Sequence, residues 1–166
     1  MDKCKSPGYS HYFYFMKTIR VTRITVYPVK SLDGVDVPSA FFHDGGGLVH
    51  DRQFAIFDDK GKLVNGKSTP AIHRLRTYFD ERFEQVRFSM ATSDVSSWFS
   101  LAEDRQRLNE YLSDVFGKTV RVEADAQGGF QDDPVKNQIT LVSEQTLGEV
   151  CNWFEGLTLD ECRRRF

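Results

Sequence analysis

VTRITVYPVKSLDGVDV, residues 21–37, is the most legible stretch of the chain. Val21, Thr22, Ile24, Val26 and Val29 give it the β-branched, alternating character of a strand with one face on a core. With Ile19 in front, the pattern predicts a strand over residues 17–29. Pro28 stops it, because proline brings no N–H to a ladder. Asp33-Gly34 makes residues 31–38 a polar turn.

Further strands follow. Residues 39–43 are short and aromatic, and Asp44–Gly47 (DGGG) is a flexible loop. Residues 52–57 (RQFAIF) form a strand, and Asp58-Asp59-Lys60-Gly61 turns the chain into residues 62–64. Residues 75–79 and 85–90 flank an acidic turn, and residues 97–101 add another short strand. Then the period changes. Leu108, Leu112, Val115 and Phe116 recur at helical spacing over residues 104–116. Glu103 and Asp104 suit the positive end of that helix, and Gly117 suits its C-terminal cap. A strand over 119–123, a Gly/Asp-rich loop over 124–134 and a strand over 138–142 come next. Ser143 caps a predicted helix over 144–154 that buries Leu147, Val150, Cys151 and Phe154. The expected class is mostly β with α additions (α+β), a β-barrel or sandwich carrying helices.

The chain has 166 residues, 40% apolar and 28% charged, the mix of one soluble globular domain. No apolar run approaches the roughly 18–20 residues of a spanning helix. Net charge is −2, which speaks against a dedicated nucleic-acid-binding surface, and without a spanning run no membrane partner is expected. Cys4, Cys151 and Cys162 are too few and too scattered for a disulfide framework or a CxxC zinc site, so a reducing, cytoplasmic setting is expected. Fourteen Phe against two Trp predict a Phe-rich core. Residues 1–15 lack the features of a signal peptide and read as a poorly ordered extension; the competing reading pairs Tyr12–Phe15 as an edge strand. Arg163-Arg164-Arg165-Phe166 has the look of a cut rather than a finished end.

Motifs for hydrolases, zinc proteases and nucleotide loops are absent. His43, His50 and His73 match no ligand spacing, so no metal role is expected. Cys151 reads as a buried, inert thiol. The arginines after Cys162 are of a kind that lowers a thiol pKa and makes it reactive. The strongest chemical feature is a pair of cations at strand ends. Lys30-Ser31 stands where one strand breaks, and Arg52, after His50-Asp51, stands where another starts. A point charge, a guanidinium fork and a hydroxyl are what a phosphate group binds. The alternative is a solvated lysine and a structural Asp51–Arg52 pair.

The same residues carry a resemblance. Residues 21–37, with PVKS, and GLVHDRQFAIFDDKGKLV, residues 47–64, resemble the N-terminal β-barrel of MOSC-domain proteins. That group includes the C-terminal domain of molybdenum cofactor sulfurase, the mitochondrial amidoxime-reducing components and bacterial relatives. LNEYLSDVFGKTVRVE (108–123) and TLVSEQTLGEV (140–150) resemble later family segments, and Phe166 falls on the Phe of an FRPN motif. The likeness runs from Ile19 to Phe166 and is loose over 79–103. It implies a molybdenum cofactor (molybdopterin), with Lys30, Ser31, Arg52 and, less directly, Ser143 as cofactor contacts. Lys67 stands where the family has an arginine. The metal-ligating cysteine of the family lies beyond Phe166, and neither Cys151 nor Cys162 occupies its place.

The implied organisation is an extension (1–15), a MOSC N-terminal-like β-barrel (16–123) and a loop with the start of an incomplete MOSC domain (124–166). The implied role is the cofactor-facing part of an oxidoreductase or sulfur carrier, inactive alone, with the rest of a MOSC domain and an electron-transfer protein as partners. The alternatives are a non-catalytic ligand- or partner-binding β-barrel module and a product without activity.

Overall fold

The computed structural model describes residues 19–44, 46–90, 95–132 and 139–164. The 1–15 extension, Cys4, Gly45, Gln138 and Phe166 lie outside them.

Strand β1 (Ile24–Val26) pairs antiparallel with β2 (Val35–Val37), Ile24 opposite Val37 and Val26 opposite Val35. Of the long strand expected over 17–29, the described part forms a strand only at Ile24–Val26, with an isolated bridge at Val29. Ile19 and Val21 are exposed, because alternation buries a face only where a second layer covers it. The polar turn expected at 31–38 contains β2. Gly34 permits the return: a Cβ there would lie 2.6 Å from Thr25 Cγ2 and 2.8 Å from the Tyr27 ring.

Pro28 ends β1, and the chain then crosses to β3 (Phe54–Asp58). Val29 bridges Phe54 in parallel; the Lys30 N–H donates to Phe54 O at 2.8 Å and the Phe54 N–H to Pro28 O at 3.0 Å. The Arg52 N–H donates to Tyr27 O at 2.6 Å. Two segments distant in sequence, 27–30 and 52–54, therefore meet at one seam, with Lys30 and Arg52 at its end.

A 3-10 turn over Pro70–Arg74 leads into β4 (Leu75–Phe79), which with β5 (Gln85–Met90) and β6 (Phe99–Ser100) forms a three-stranded antiparallel sheet. Helix α1 (Arg105–Phe116) starts after Asp104 and ends at Gly117, whose φ of 63° is the left-handed cap geometry open to glycine. Strand β7 (Val120–Ala124) pairs antiparallel with β3, Ile56 facing Val122. Leu108 and Leu112 of α1 are buried with Ile56, Leu75, Val86, Phe88 and Leu101 in one core. Each such side chain contributes about 1.5–3 kcal/mol by leaving water. The Phe-rich core is only partly realised: Phe54, Phe88 and Phe99 are buried, while Phe41, Phe42 and Phe154 are exposed.

Helix α2 (Glu144–Asn152) is capped by the Ser143 hydroxyl, which accepts the Thr146 N–H. Of its expected apolar face Leu147 is buried, while Val150 and Cys151 are half-buried and Phe154 lies beyond the helix. Residues 139–142 are exposed coil, not strand, and residues 39–43 contribute a single bridge from Phe42 to Leu48. Helix α3 (Leu159–Arg163) packs on α2 behind a Thr158–Glu161 capping box.

The class is mixed rather than mostly β, at 23% helix and 24% strand. The described strands make two two-stranded sheets and one three-stranded sheet, and among the described residues no barrel closes. Barrel closure needs each strand paired on both edges, and β1, β2, β3 and β7 each have one strand neighbour. No described helix is long and apolar enough to cross a membrane.

Candidate functional site

The end of the seam opens on a cleft of about 780 Å³. Lys30, Ser31 and Arg52 line it, joined by Tyr27, Lys67 and Arg164. The fold thus gathers three of the four sequence-derived cofactor residues. Ser143 is not among the lining residues; its hydroxyl caps α2.

The local backbone is unusual. Ser31 (φ 70°), His50 (φ 69°) and Arg52 (φ 53°) all sit in the left-handed region without being glycine. Such conformations cost about 1–2 kcal/mol each and persist where surrounding bonds fix them. Asp51 supplies those bonds. Its side chain is 6% exposed; Oδ1 accepts the Tyr27 N–H at 2.9 Å and Oδ2 pairs with Arg52 Nε at 3.1 Å. The Asp51–Arg52 pair anticipated as a surface alternative is therefore real, but it is largely buried. It aims the guanidinium rather than competing with a role for it.

A loop that sequence reading passed over as merely Gly/Asp-rich covers the two cations. Arg52 Nη1 donates to Gln131 Oε1 at 2.8 Å. Lys30 Nζ donates to Phe130 O at 2.8 Å and pairs with Asp132 Oδ1 at 2.7 Å. Gly129 makes the approach feasible: its φ is 70°, and a Cβ would stand 2.6 Å from Asp51 O. The Phe130 N–H then donates to Arg52 O at 2.8 Å. Asp132, two positions after Gly128-Gly129-Phe130, is the sequence signal for this cover.

The charge balance follows. The Lys30 side chain is 12% exposed and Asp132 73%. The hydrogen bond from Lys30 lowers the Asp132 carboxyl below its ordinary value, helped by the positive charges of Lys30, Arg52 and Lys67 and opposed by partial burial. Burial, then the charges of Asp51 and Asp36, raise the Tyr27 phenol, so it stays protonated at neutral pH.

A pH test follows from the sign of the Asp132 shift. A depressed folded-state pKa gives stability that is fully present above the unfolded value and lost as pH falls through the folded one. Asp132→Asn should therefore lower the thermal midpoint slightly near pH 7, and the difference should vanish in acid below the ordinary carboxylate range. With the Asp132 carboxylate largely in solvent, the pair is worth under about 1 kcal/mol. A difference that persists unchanged in acid would show that charge pairing is not its source.

The two thiols described lie elsewhere. Cys162 is 1% exposed, its Sγ donating to Leu147 O at 3.7 Å. Arg163 is engaged by Glu144 and Asp160, and Arg164 lies 4.0 Å from Glu161. An exposed, arginine-activated Cys162 is thus not what the fold produces. Cys151, expected to be buried, is half-buried. Among the described residues no cluster of His, Cys, Asp and Glu is arranged to hold a metal ion.

Comparison with known proteins matches residues 18–155 to the family model described as the MOSC N-terminal beta barrel domain. The chain is also 30% identical over 106 residues to a molybdenum cofactor sulfurase of Oryza sativa subsp. japonica. That match covers 64% of this chain and 13% of the relative, so the chain spans a small part of the relative's length.

Proposed function

The chain belongs to the MOSC N-terminal β-barrel domain family, and from that premise we propose that its cleft holds the phosphate end of a molybdopterin-class cofactor. The observation that carries this reading is the convergence of Lys30, Ser31 and Arg52 on one cleft wall. Lys30 brings a compact charge, Arg52 a planar fork and Ser31 a hydroxyl, the donor set a phosphate monoester takes. The donors fit the group. At present Lys30 and Arg52 are engaged by Phe130 O, Gln131 and Asp132, which present oxygens where phosphate oxygens would sit. Binding then exchanges the exposed Asp132 carboxylate for the ligand, and Asp132 is solvated as the loop yields. Asp51 keeps Arg52 aimed throughout. When bound, the cofactor supplies the redox or sulfur-transfer chemistry of an oxidoreductase or sulfur carrier. The chain's own residues bind and orient its anionic end. In this reading the protein works in the cytoplasm with a further MOSC-type segment and an electron-transfer protein.

A second reading, a module that docks another protein domain, is favoured by Ile139, Leu141, Val142, Trp153 and Phe154, all exposed around α2. One experiment separates the two. The full chain is titrated with inorganic phosphate and pyrophosphate by calorimetry, and its pterin content is measured after expression in a cofactor-producing host. Saturable anion binding with retained pterin supports the cofactor reading. A pterin-free chain indifferent to both anions overturns it and leaves docking.

A further inference from the structure

Helices α2 and α3 bring two cysteines together. Cys162, on α3, directs its thiol at the Leu147 carbonyl at 3.7 Å. In an α-helix that carbonyl is bonded to the N–H four residues on, which here belongs to Cys151. The Cys162 sulfur therefore rests against the turn from which the Cys151 side chain springs. Only a short turn separates the helices, so their packing fixes this pairing.

We propose that Cys151 and Cys162 form a thiol–disulfide site that reacts with small-molecule disulfides and closes a covalent link between α2 and α3. The inference is independent of the anion site. The accessibilities assign the roles: half-buried Cys151 meets the reagent, and buried Cys162 resolves it. The Cys151 thiolate attacks one sulfur of glutathione disulfide and expels one glutathione thiolate. The Cys162 thiolate then attacks the Cys151 sulfur of the mixed disulfide and expels the second. The protein gives up two electrons and two protons, and glutathione disulfide becomes two glutathione thiols. Burial and the neighbouring Cys162 raise the Cys151 pKa above its ordinary value, so the first attack is slow at neutral pH and faster in mild alkali. The link would tie to α2 the segment whose Glu161 and Arg164 line the cleft.

The test uses the full chain, with Cys4→Ser to remove the third thiol. The reduced protein is incubated with glutathione disulfide, quenched with acid and analysed by intact mass. The expected product has lost two hydrogen atoms and carries no adduct. Cleavage after Glu155, which lies between the cysteines, should leave the two fragments joined until reductant is added. The linked form should exceed the adduct by about tenfold at roughly millimolar glutathione, because the second thiol is intramolecular. Cys162→Ser should instead stop at a glutathione adduct on Cys151. If that variant fails to fold, fragment mapping of the Cys4→Ser chain decides alone. A lasting adduct on Cys151 in the presence of Cys162, or both thiols still open to alkylation, overturns the proposal.

Discussion

Lys30→Ala combined with Arg52→Gln is expected to weaken phosphate binding by about 10²–10⁴-fold. Each charge-assisted hydrogen bond to the ligand is worth roughly 1.5–3 kcal/mol, and every 1.4 kcal/mol is about tenfold. Two such contacts are removed. The choice of substitutions follows from the surroundings. Lys30→Ala frees Asp132, which is well exposed and finds water instead, so the fold loses little. Arg52→Ala would strand Asp51, which is nearly fully buried, without its cation. Glutamine keeps an N–H donor for Asp51 Oδ2 while deleting the charge and the fork. The measurement is calorimetric titration with inorganic pyrophosphate, beside a thermal melt that checks folding. Folded double variant with wild-type affinity would remove Lys30 and Arg52 from the site.

These two side chains were legible in the sequence because their local signals are strong. A Tyr-Pro break marks the end of β1 just before Lys30, and Asp51-Arg52 leads into a run of apolar residues. Their meeting was not legible. It depends on the parallel bridge from Val29 to Phe54, a contact across 25 positions that no local pattern encodes. The cover over them depends on Gly129, whose missing Cβ matters only because Asp51 O lies where that atom would be. Elements whose own period suffices were read closely. Strands β4 and β5 have the expected bounds, and α1 differs by one residue at its capped start. Elements that need a partner were misread. Residues 19–23 alternate like a strand but have no strand partner among the described residues, and β2 is a three-residue VDV segment made into a strand by β1 alone. The apolar spacing of α2 was real, yet α3 covers only the part near Leu147 and Cys151.

Asp51→Ala is expected to destabilise the protein by about 3 kcal/mol, within the roughly 3–5 kcal/mol typical of breaking a buried pair. Both carboxylate oxygens are used, one by the Tyr27 N–H and the other by Arg52. Alanine leaves the Tyr27 amide without its acceptor, a loss of roughly 1–3 kcal/mol for a buried donor. It also leaves Arg52, 19% exposed, with Gln131 as its remaining side-chain partner. Gln131 and partial solvation hold the cost toward the lower end of the range. Asp51→Asn separates the two contributions. Its carbonyl oxygen still accepts from Tyr27, but its amide N–H₂ faces the Arg52 guanidinium, donor against donor. It should therefore cost about 1–2 kcal/mol. Urea unfolding reads both as shifts of the midpoint at constant slope. The seam gives the result its wider meaning. Asp51 ties Tyr27 to Arg52 at the place where β1 passes over the start of β3, so one carboxylate both closes the fold and aims the guanidinium. An alanine variant that loses less than about 1 kcal/mol would mean that the backbone bonds of the seam hold the crossing unaided. The left-handed conformation of Arg52 would then owe nothing to the buried pair.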